Sequence, residues 1–219
     1  RSIYDPHLDA ILASGLRGGD VTVIDYKTRK TTLIRKFWVT QPGQSFGAKS
    51  AFSIPIGSGT CEMATVDNQG TMEKLAWIPP DTGIVGNDFN GRPIGIVPVD
   101  VALGGQTLRP FTLSRLDPEK AAVVPIIELG SHKNAYGVLS PSGKTCFVTV
   151  LSAEYDSQTF AIDLMEATPV LTKVDKIRGG TQFQVLTDDT ILIQDAVFRD
   201  AKPLLSRMLK YNWRKKTEE

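Results

Sequence analysis

Apolar and polar residues alternate in short stretches through most of the chain, from about residue 20 to residue 197. These stretches are rich in β-branched and aromatic residues, a pattern typical of half-buried β-strands. Turn-forming sequences separate them, among them Gly104-Gly105 and the stretch at 141–144. Many short strands with almost no helical periodicity between them predict an all-β protein, mainly an antiparallel sandwich of jelly-roll type.

The two ends of the chain follow a different pattern. Near the start, Asp5 and Pro6 have the character of a helix N-cap and first turn, and apolar residues follow on one face. Between residues 200 and 213, apolar residues recur at spacings of three and four, the period of an amphipathic α-helix. The pattern therefore predicts a short N-terminal helix and a basic, amphipathic C-terminal helix within residues 198–219.

The domain organisation predicted from this pattern is simple. The prediction is a single β-rich domain over residues 1–219, a length at which one large β domain or two small domains would both be ordinary. The proline- and glycine-rich segment at 79–93 is a long loop and a candidate boundary between two β subdomains.

One weak repeat favours a different β architecture. An aspartate closes an apolar stretch just before a turn at Asp25, Asp67, Asp117 and Asp163, at intervals of 42, 50 and 46 residues. A β-propeller blade has ~40–50 residues. The flanking residues do not repeat, however, and β-hairpins commonly place Asp before a turn. A β-propeller-like fold is therefore the alternative to the preferred sandwich.

Composition and charge fit a globular domain. The 219 residues are 41% hydrophobic and 22% charged, with a net charge of +1. Residues 198–219 carry seven Lys or Arg against three Asp or Glu, so an anionic partner would be attracted by this local patch. The apolar runs are too short for a transmembrane helix, no signal-peptide pattern is present, and no compartment is indicated.

Residues that could support catalysis or metal binding are scarce. Cys61 and Cys146 form no Cys-x-x-Cys pair, so no zinc site is predicted, and the sequence leaves open whether they form a disulfide. His7 and His132 lie in polar or turn-like sequence, with no nucleophile motif in the chain. No cofactor is expected.

The triplet Asp-Thr-Gly at 81–83 is shared with aspartic proteases, in which paired carboxylates activate water. Here two prolines precede it instead of a hydrophobic strand, which favours an ordinary turn. The nearby loop also contains Asp88 among other oxygen-bearing residues, but it lacks the glutamate of an EF-hand calcium loop.

The predicted C-terminal helix carries the candidate interaction residues. They are Arg207, Lys210, Trp213, Arg214, Lys215 and Lys216. Their cations would face the phosphates of nucleic acid or an anionic membrane while the apolar side packs or inserts. Alternatively, the apolar side docks on the β core and the lysines face solvent.

Three functional hypotheses follow. The preferred one is a non-catalytic structural or assembly protein, similar to viral capsid or matrix sandwiches, that self-associates through its terminal helices. The alternative is a β-propeller-like ligand-binding or hydrolytic domain. The third is an aspartyl-type hydrolase that uses Asp81. Fold alone does not decide between them.

Overall fold

The computed structural model describes residues 2–5, 10–14, 19–37, 44–55, 61–67, 69, 71–99, 108–154, 156–177, 182–199 and 202–218. Within these residues the chain forms twenty β-strands and no helix. The strands are arranged in five antiparallel sheets of four strands each.

The bounds of the strands are as follows. Sheet 1 contains β1 (Ser2–Asp5), β2 (Ala10–Ser14), β3 (Gly19–Asp25) and β4 (Thr31–Phe37). Sheet 2 contains β5 (Gln44–Phe46), β6 (Lys49–Pro55), β7 (Cys61–Val66) and β8 (Met72–Lys74). Sheet 3 contains β9 (Gly83–Asn87), β10 (Pro93–Pro98), β11 (Arg109–Asp117) and β12 (Ala122–His132). Sheet 4 contains β13 (Asn134–Leu139), β14 (Thr145–Leu151), β15 (Ser157–Asp163) and β16 (Thr172–Lys173). Sheet 5 contains β17 (Gln182–Val185), β18 (Thr190–Arg199), β19 (Lys202–Asn212) and β20 (Thr217–Glu218).

Each sheet is built from strands that are consecutive in the chain, and each strand pairs with the next. The first strands of neighbouring sheets lie together, since β9 contacts both β5 and β13. Sheets whose first strands meet and whose later strands lead outward have the arrangement of β-propeller blades.

The hydrophobic core lies between neighbouring sheets. One cluster joins sheets 2 and 3 and includes Met63 and Leu116. A second joins sheets 3 and 4 through residues such as Ile94 and Val148, and a third joins sheets 4 and 5 around Phe147. Because an inner sheet is covered on both faces, β10 and β14 are buried along almost their whole length instead of alternating.

The sandwich prediction is wrong. A sandwich and a propeller use the same local signals, namely short antiparallel strands and turn residues. They differ in how the sheets pack against one another, which local sequence does not specify. The five consecutive four-stranded sheets favour the propeller alternative.

The predicted N-terminal helix is also wrong. Ser2–Asp5 and Ala10–Ser14 are strands that pair with each other, with Ile3 opposite Leu12. Residues 6–9 lie outside the described residues. An Asp-Pro pair begins a turn as readily as it begins a helix, which explains the error.

The predicted C-terminal helix is wrong for a related reason. Lys202–Asn212 is a strand, with Tyr211 opposite Ile191 and Leu209 opposite Ile193. From Met208 to Tyr211 the side chains alternate between exposed and at least partly buried, which is the period of a strand. The spacing of the large apolar residues fits the period of a helix and the period of a strand, so spacing alone could not separate the two structures. These residues are at positions 204, 205, 208, 209, 211 and 213.

The aspartate repeat marks the propeller blades. Each member is the last residue of the third strand of its sheet or, in the case of Asp67, the residue directly after it. Its Oδ1 accepts a hydrogen bond from the backbone N–H two residues later. These residues are Asp25, Asp67, Asp117 and Asp163, with distances of 2.9, 2.9, 3.1 and 2.9 Å. In sheet 5 Asn212 takes the same position and accepts from the N–H of Lys215 at 3.0 Å.

Candidate functional site

Two sets of turns lie at one end of sheets 2 to 5. Because neighbouring strands run antiparallel, the turn after the first strand and the turn after the third strand of a sheet fall at the same end. We call this end the turn face. The turns after the first strands are the inner turns, at residues 47–48, 88–92, 140–144 and 186–189.

Hydrogen bonds connect the inner turns of sheets 2, 3 and 4. The N–H of Gly47 donates to Oδ1 of Asn87 at 3.0 Å, and the Asn87 amide donates back to the Gly47 carbonyl at 3.0 Å. The N–H of Phe89 donates to the carbonyl of Gly143 at 3.1 Å. These bonds fix the position of the sheet 3 inner turn from both sides.

Sheets 4 and 5 are joined on this face by charged groups. Ser142 donates its hydroxyl hydrogen to Asp188. Nη2 of Arg214 lies 2.6 Å from Oδ2 of Asp163, and Nε of Arg214 donates to Asp189. Arg214 therefore links the turn after the third strand of sheet 4 to the inner turn of sheet 5.

The carboxyl of Asp188 is stabilised in its charged form. Burial by itself would raise its pKa. Hydrogen bonds from Ser140 and Ser142 and the positive charges of Lys144 and Arg214 outweigh burial and hold the pKa of Asp188 below its ordinary value. The contact between sheets 4 and 5 therefore includes an ionised carboxylate at neutral pH.

A second carboxylate, Asp88, lies under the surface of the sheet 3 inner turn. Its side chain is 1% exposed. Oδ1 accepts the N–H groups of Asn90 and Arg92 at 2.8 and 3.0 Å. Oδ2 lies 3.1 Å from Nε and 3.0 Å from Nη2 of Arg92. Asp88 therefore shapes the turn and holds a guanidinium.

A second guanidinium, that of Arg115, shares the same carboxylate. Its Nε lies 3.7 Å from Oδ2 of Asp88, which is an ion pair but too long for a hydrogen bond. That Nε is buried and, within the part of the chain that the structure describes, has no hydrogen-bond acceptor. The Arg115 side chain as a whole is 36% exposed, so it can be reached from solvent although its Nε is buried.

Both arginines line a cleft of about 670 Å³ on the turn face. The lining residues come from the inner turns of sheets 2 and 3 and from the β11–β12 hairpin. They are Gly47, Gly91, Arg92, Pro93, Arg115, Leu116, Asp117, Pro118, Glu119 and Val124. We call this the turn-face cleft. Apart from its four charged side chains, its lining is apolar or glycine.

The acidic residues of the cleft differ in how they are engaged. Asp117 accepts hydrogen bonds from the N–H groups of Glu119 and Lys120, both at 3.1 Å, and its Oδ2 lies 3.6 Å from the Lys120 ammonium. Glu119 is exposed in the β11–β12 turn. The cleft therefore has a cationic part at Arg92 and Arg115 and an anionic part at the hairpin turn.

Asp81, the residue of the hydrolase hypothesis, lies away from this cleft. Its Oδ1 accepts the N–H of Cys61 at 2.8 Å, and its Oδ2 accepts Nη1 of Arg109 at 3.0 Å. Its φ of 63° is one that Asp tolerates better than most residues. No second carboxylate is among these described contacts, whereas aspartyl chemistry needs two. Asp81 therefore links the loop before β9 to β7 and β11.

The six candidate interaction residues all fall in the β19–β20 hairpin. Trp213 is buried, while Lys210 and Lys215 are exposed. The Lys216 ammonium lies 4.0 Å from Asp175. Arg214 is engaged as described above, and the Arg207 side chain lies outside the described residues. Binding of a second copy, nucleic acid or an anionic membrane through this hairpin stays a prediction.

The remaining candidates have ordinary surroundings. A ring nitrogen of His132 lies 2.7 Å from the Leu129 carbonyl, and His7 lies outside the described residues. Cys61 and Cys146 are free thiols, and burial raises the pKa of Cys146 to about 12. Among the described residues, no three His, Cys, Asp or Glu side chains come together as metal ligands would. In those same ranges no helix has the length and apolar character to cross a membrane.

Comparison with known proteins identifies the fold. No protein-family model and no curated protein sequence matches the chain. TolB from Acinetobacter baumannii superposes with a TM-score of 0.61 at 13% identity, over 95% of this chain and 50% of that one. The putative TolB from Agrobacterium tumefaciens gives 0.63 at 12% identity, over 100% and 78%. The β-propeller domain of the Trilobed protease from Pyrococcus furiosus gives 0.54 at 12% identity, over 93% and 64%.

These similarities define the class of the fold, which is a β-propeller. The chain spans about half the length of the Acinetobacter TolB chain. Identities of 12–13% carry the fold and nothing more specific. The viral capsid or matrix interpretation depended on a sandwich and is wrong.

Sequence reasoning missed the cleft. Arg92 and Arg115 are 23 residues apart and lie in different strands or turns, so no local motif joins them. The one available signal was the aspartate repeat, which includes Asp117. Arg115 precedes Asp117 by two residues, and strand alternation places both side chains on the same side of β11.

Proposed function

We propose that this protein is a ligand-binding β-propeller and that its ligand is a polypeptide segment bound in the turn-face cleft. The cleft carries the proposal. Its volume of about 670 Å³ is within the usual range of ligand pockets. Such pockets combine apolar walls with a few well-placed polar groups. This cleft has apolar walls and an arginine, Arg115, whose Nε has no hydrogen-bond acceptor among the described residues.

The class of ligand is chosen by two arguments. The cleft is open and joins apolar surface to both signs of charge, which suits a short stretch of polypeptide. The fold also resembles propeller domains of proteases, such as that of the Trilobed protease.

Binding can be tested with a pool of N-acetylated tetrapeptides made of apolar residues, followed by amide chemical shifts in two-dimensional NMR. We expect the amides of Gly91, Glu119 and Val124 to shift. Val124→Trp should weaken binding at least about tenfold, because the larger side chain fills the cleft. Val124 is 48% exposed, so the substitution disturbs little of the core.

Val170→Trp is the matched control. Val170 is also an exposed valine, at 62%, and it does not line the cleft, so this variant should bind as the unaltered protein does. The proposal would be rejected if the shifts cluster outside the cleft, or if the two variants bind the peptides equally well.

A further inference from the structure

We infer that Arg115 binds a carboxylate of the ligand, so that the turn-face cleft selects peptides that present a carboxylate next to apolar residues. This inference rests on the proposed function and names the group that the cleft recognises. Three features support it: the charge balance around Asp88, the unpartnered Nε of Arg115 among the described residues, and the apolar residues paired with Arg115.

The charge balance at the bottom of the cleft is uneven. Arg92 and Arg115 both lie within 4 Å of the Asp88 carboxylate, which is the one acidic group described in contact with them. Two guanidinium groups against one carboxylate leave one positive charge. Asp88 is nearly fully buried, so solvent screens this arrangement less than it would a surface pair.

The two arginines differ in what they have left to offer. Arg92 donates to Asp88 through its side chain, and its backbone N–H is bonded to the same residue. Arg115 forms an ion pair with Asp88, and its Nε has no hydrogen-bond partner among the described residues. The planar fork of a guanidinium matches the two oxygens of a carboxylate. Arg115 is therefore the anchor.

Arg115 is also fixed in position. Its neighbours across the strands are Ile94 and Val124, so its stem lies between two apolar residues of β10 and β12. The Asp88 turn below it is fixed by hydrogen bonds from the backbone N–H groups of Asn90 and Arg92 to the Asp88 carboxylate. A donor that is already in place loses little conformational entropy on binding. Its apolar neighbours strengthen a charge-assisted bond made beside them.

The same features favour a carboxylate over a phosphate. Around Asp88 alone, the two arginines leave an excess of one positive charge, which a monoanion balances and a dianion exceeds. Asp117 and Glu119 line the same cleft and would repel the second charge of a phosphate. The apolar lining, which includes Pro93 and Val124, suits the side chains that accompany a carboxylate in a peptide.

The test compares matched forms of the N-acetylated apolar tetrapeptides by NMR titration. The forms are a free C-terminal carboxylate, a C-terminal carboxamide, and a carboxamide that contains one Glu, with inorganic phosphate as a fourth probe. At least one carboxylate form should bind about tenfold or more tightly than the plain carboxamide, as expected for charge-assisted hydrogen bonds. If the free C-terminal form binds more tightly, the recognised carboxylate is that of the C-terminus. If the form with Glu binds more tightly, it is that of a side chain.

Three variants assign the effect to Arg115. Arg115→Gln should remove the difference between carboxylate and carboxamide. Arg115→Lys should keep part of it, because the charge remains and the fork is lost. Arg29→Gln removes one positive charge from the exposed β3–β4 turn and should change nothing. The ratio measured on the unaltered protein decides the inference even if Arg115→Gln fails to fold.

The outcomes separate this inference from the proposed function. Equal binding of the carboxylate and carboxamide forms in the cleft would overturn the inference and leave the proposed function standing. If neither form shifts the amides of the cleft, both the inference and the proposed function would be overturned. Tighter binding of phosphate than of any carboxylate peptide would overturn the inference in favour of an inorganic anion site.

Discussion

Replacing Trp213 with alanine should lower the free energy of unfolding by about 3–5 kcal/mol, the usual cost of removing a large buried aromatic side chain. Trp213 is 6% exposed and belongs to the cluster between sheets 4 and 5. Its ring packs edge-on against Phe147, with centroids 6.1 Å apart, and its Nε1 donates to the Asp188 carbonyl at 2.8 Å. The variant loses the packing and leaves this carbonyl without its partner.

Urea unfolding followed by far-ultraviolet circular dichroism measures this effect without depending on tryptophan fluorescence. Met208→Ala is the control, because Met208 lies in β19, the strand that ends just before Trp213, with 61% of its surface exposed. Its free energy of unfolding should change by about 0.5 kcal/mol or less. A loss below about 1 kcal/mol for Trp213→Ala would mean that the side chain is not part of the core.

Gly143→Ala should also be strongly destabilising, by about 2–4 kcal/mol, for two reasons that add. The residue has a φ of 71°, a conformation that alanine adopts with strain. A Cβ at this position would lie 2.6 Å from the backbone nitrogen of Phe89 and 2.7 Å from the backbone carbon of Asp88. Backbone atoms cannot move aside as a side chain can, so the sheet 3 and sheet 4 inner turns would separate.

Gly91→Ala separates the two reasons. Gly91 has a φ of 74°, but a Cβ there would meet nothing within 4 Å. Its cost should be the conformational part alone, about 1 kcal/mol. Thermal or urea unfolding of the two variants should therefore differ by at least about 1 kcal/mol. Equal stabilities would show that the two inner turns do not pack as described.

The all-β class and the repeat could be predicted from sequence, whereas the packing of the sheets could not. Asp25, Asp67, Asp117 and Asp163 mark four of the five sheets because each caps the turn after a third strand. The fifth position is Asn212, whose amide oxygen accepts the same kind of bond. A search for aspartate alone therefore ends one sheet early and makes the repeat look like ordinary hairpins.

The C-terminal segment shows why apolar spacing can mislead. Asp200 and Pro203 have the character of helix-starting residues, and the apolar residues after them satisfy both periods. The outcome was decided by a non-local contact: β18 offers Ile191 and Ile193 as neighbours for Tyr211 and Leu209. Tertiary pairing overrides local preference when it buries more apolar surface.

The candidate site could not be found from sequence, because its parts meet only after the sheets pack. Gly47 reaches the cleft from sheet 2, Arg92 from an inner turn and Arg115 from the end of a strand. Asp88 was visible as one of several acidic and amide residues in a loop. Its burial and its two arginine partners follow from the hairpins around it, which no local motif encodes.

The fold is defined by the pairing of consecutive strands into sheets. The β18–β19 pair is the most informative one to test, because the sequence predicted a helix in place of β19. Cross-strand backbone nuclear Overhauser effects measured by NMR test it directly. We expect contacts between Ile191 and Tyr211 and between Ile193 and Leu209, because these residues lie opposite each other. A continuous run of contacts between residues three apart from 202 to 212, with none across to β18, would instead describe a helix and would contradict the fold proposed for this chain.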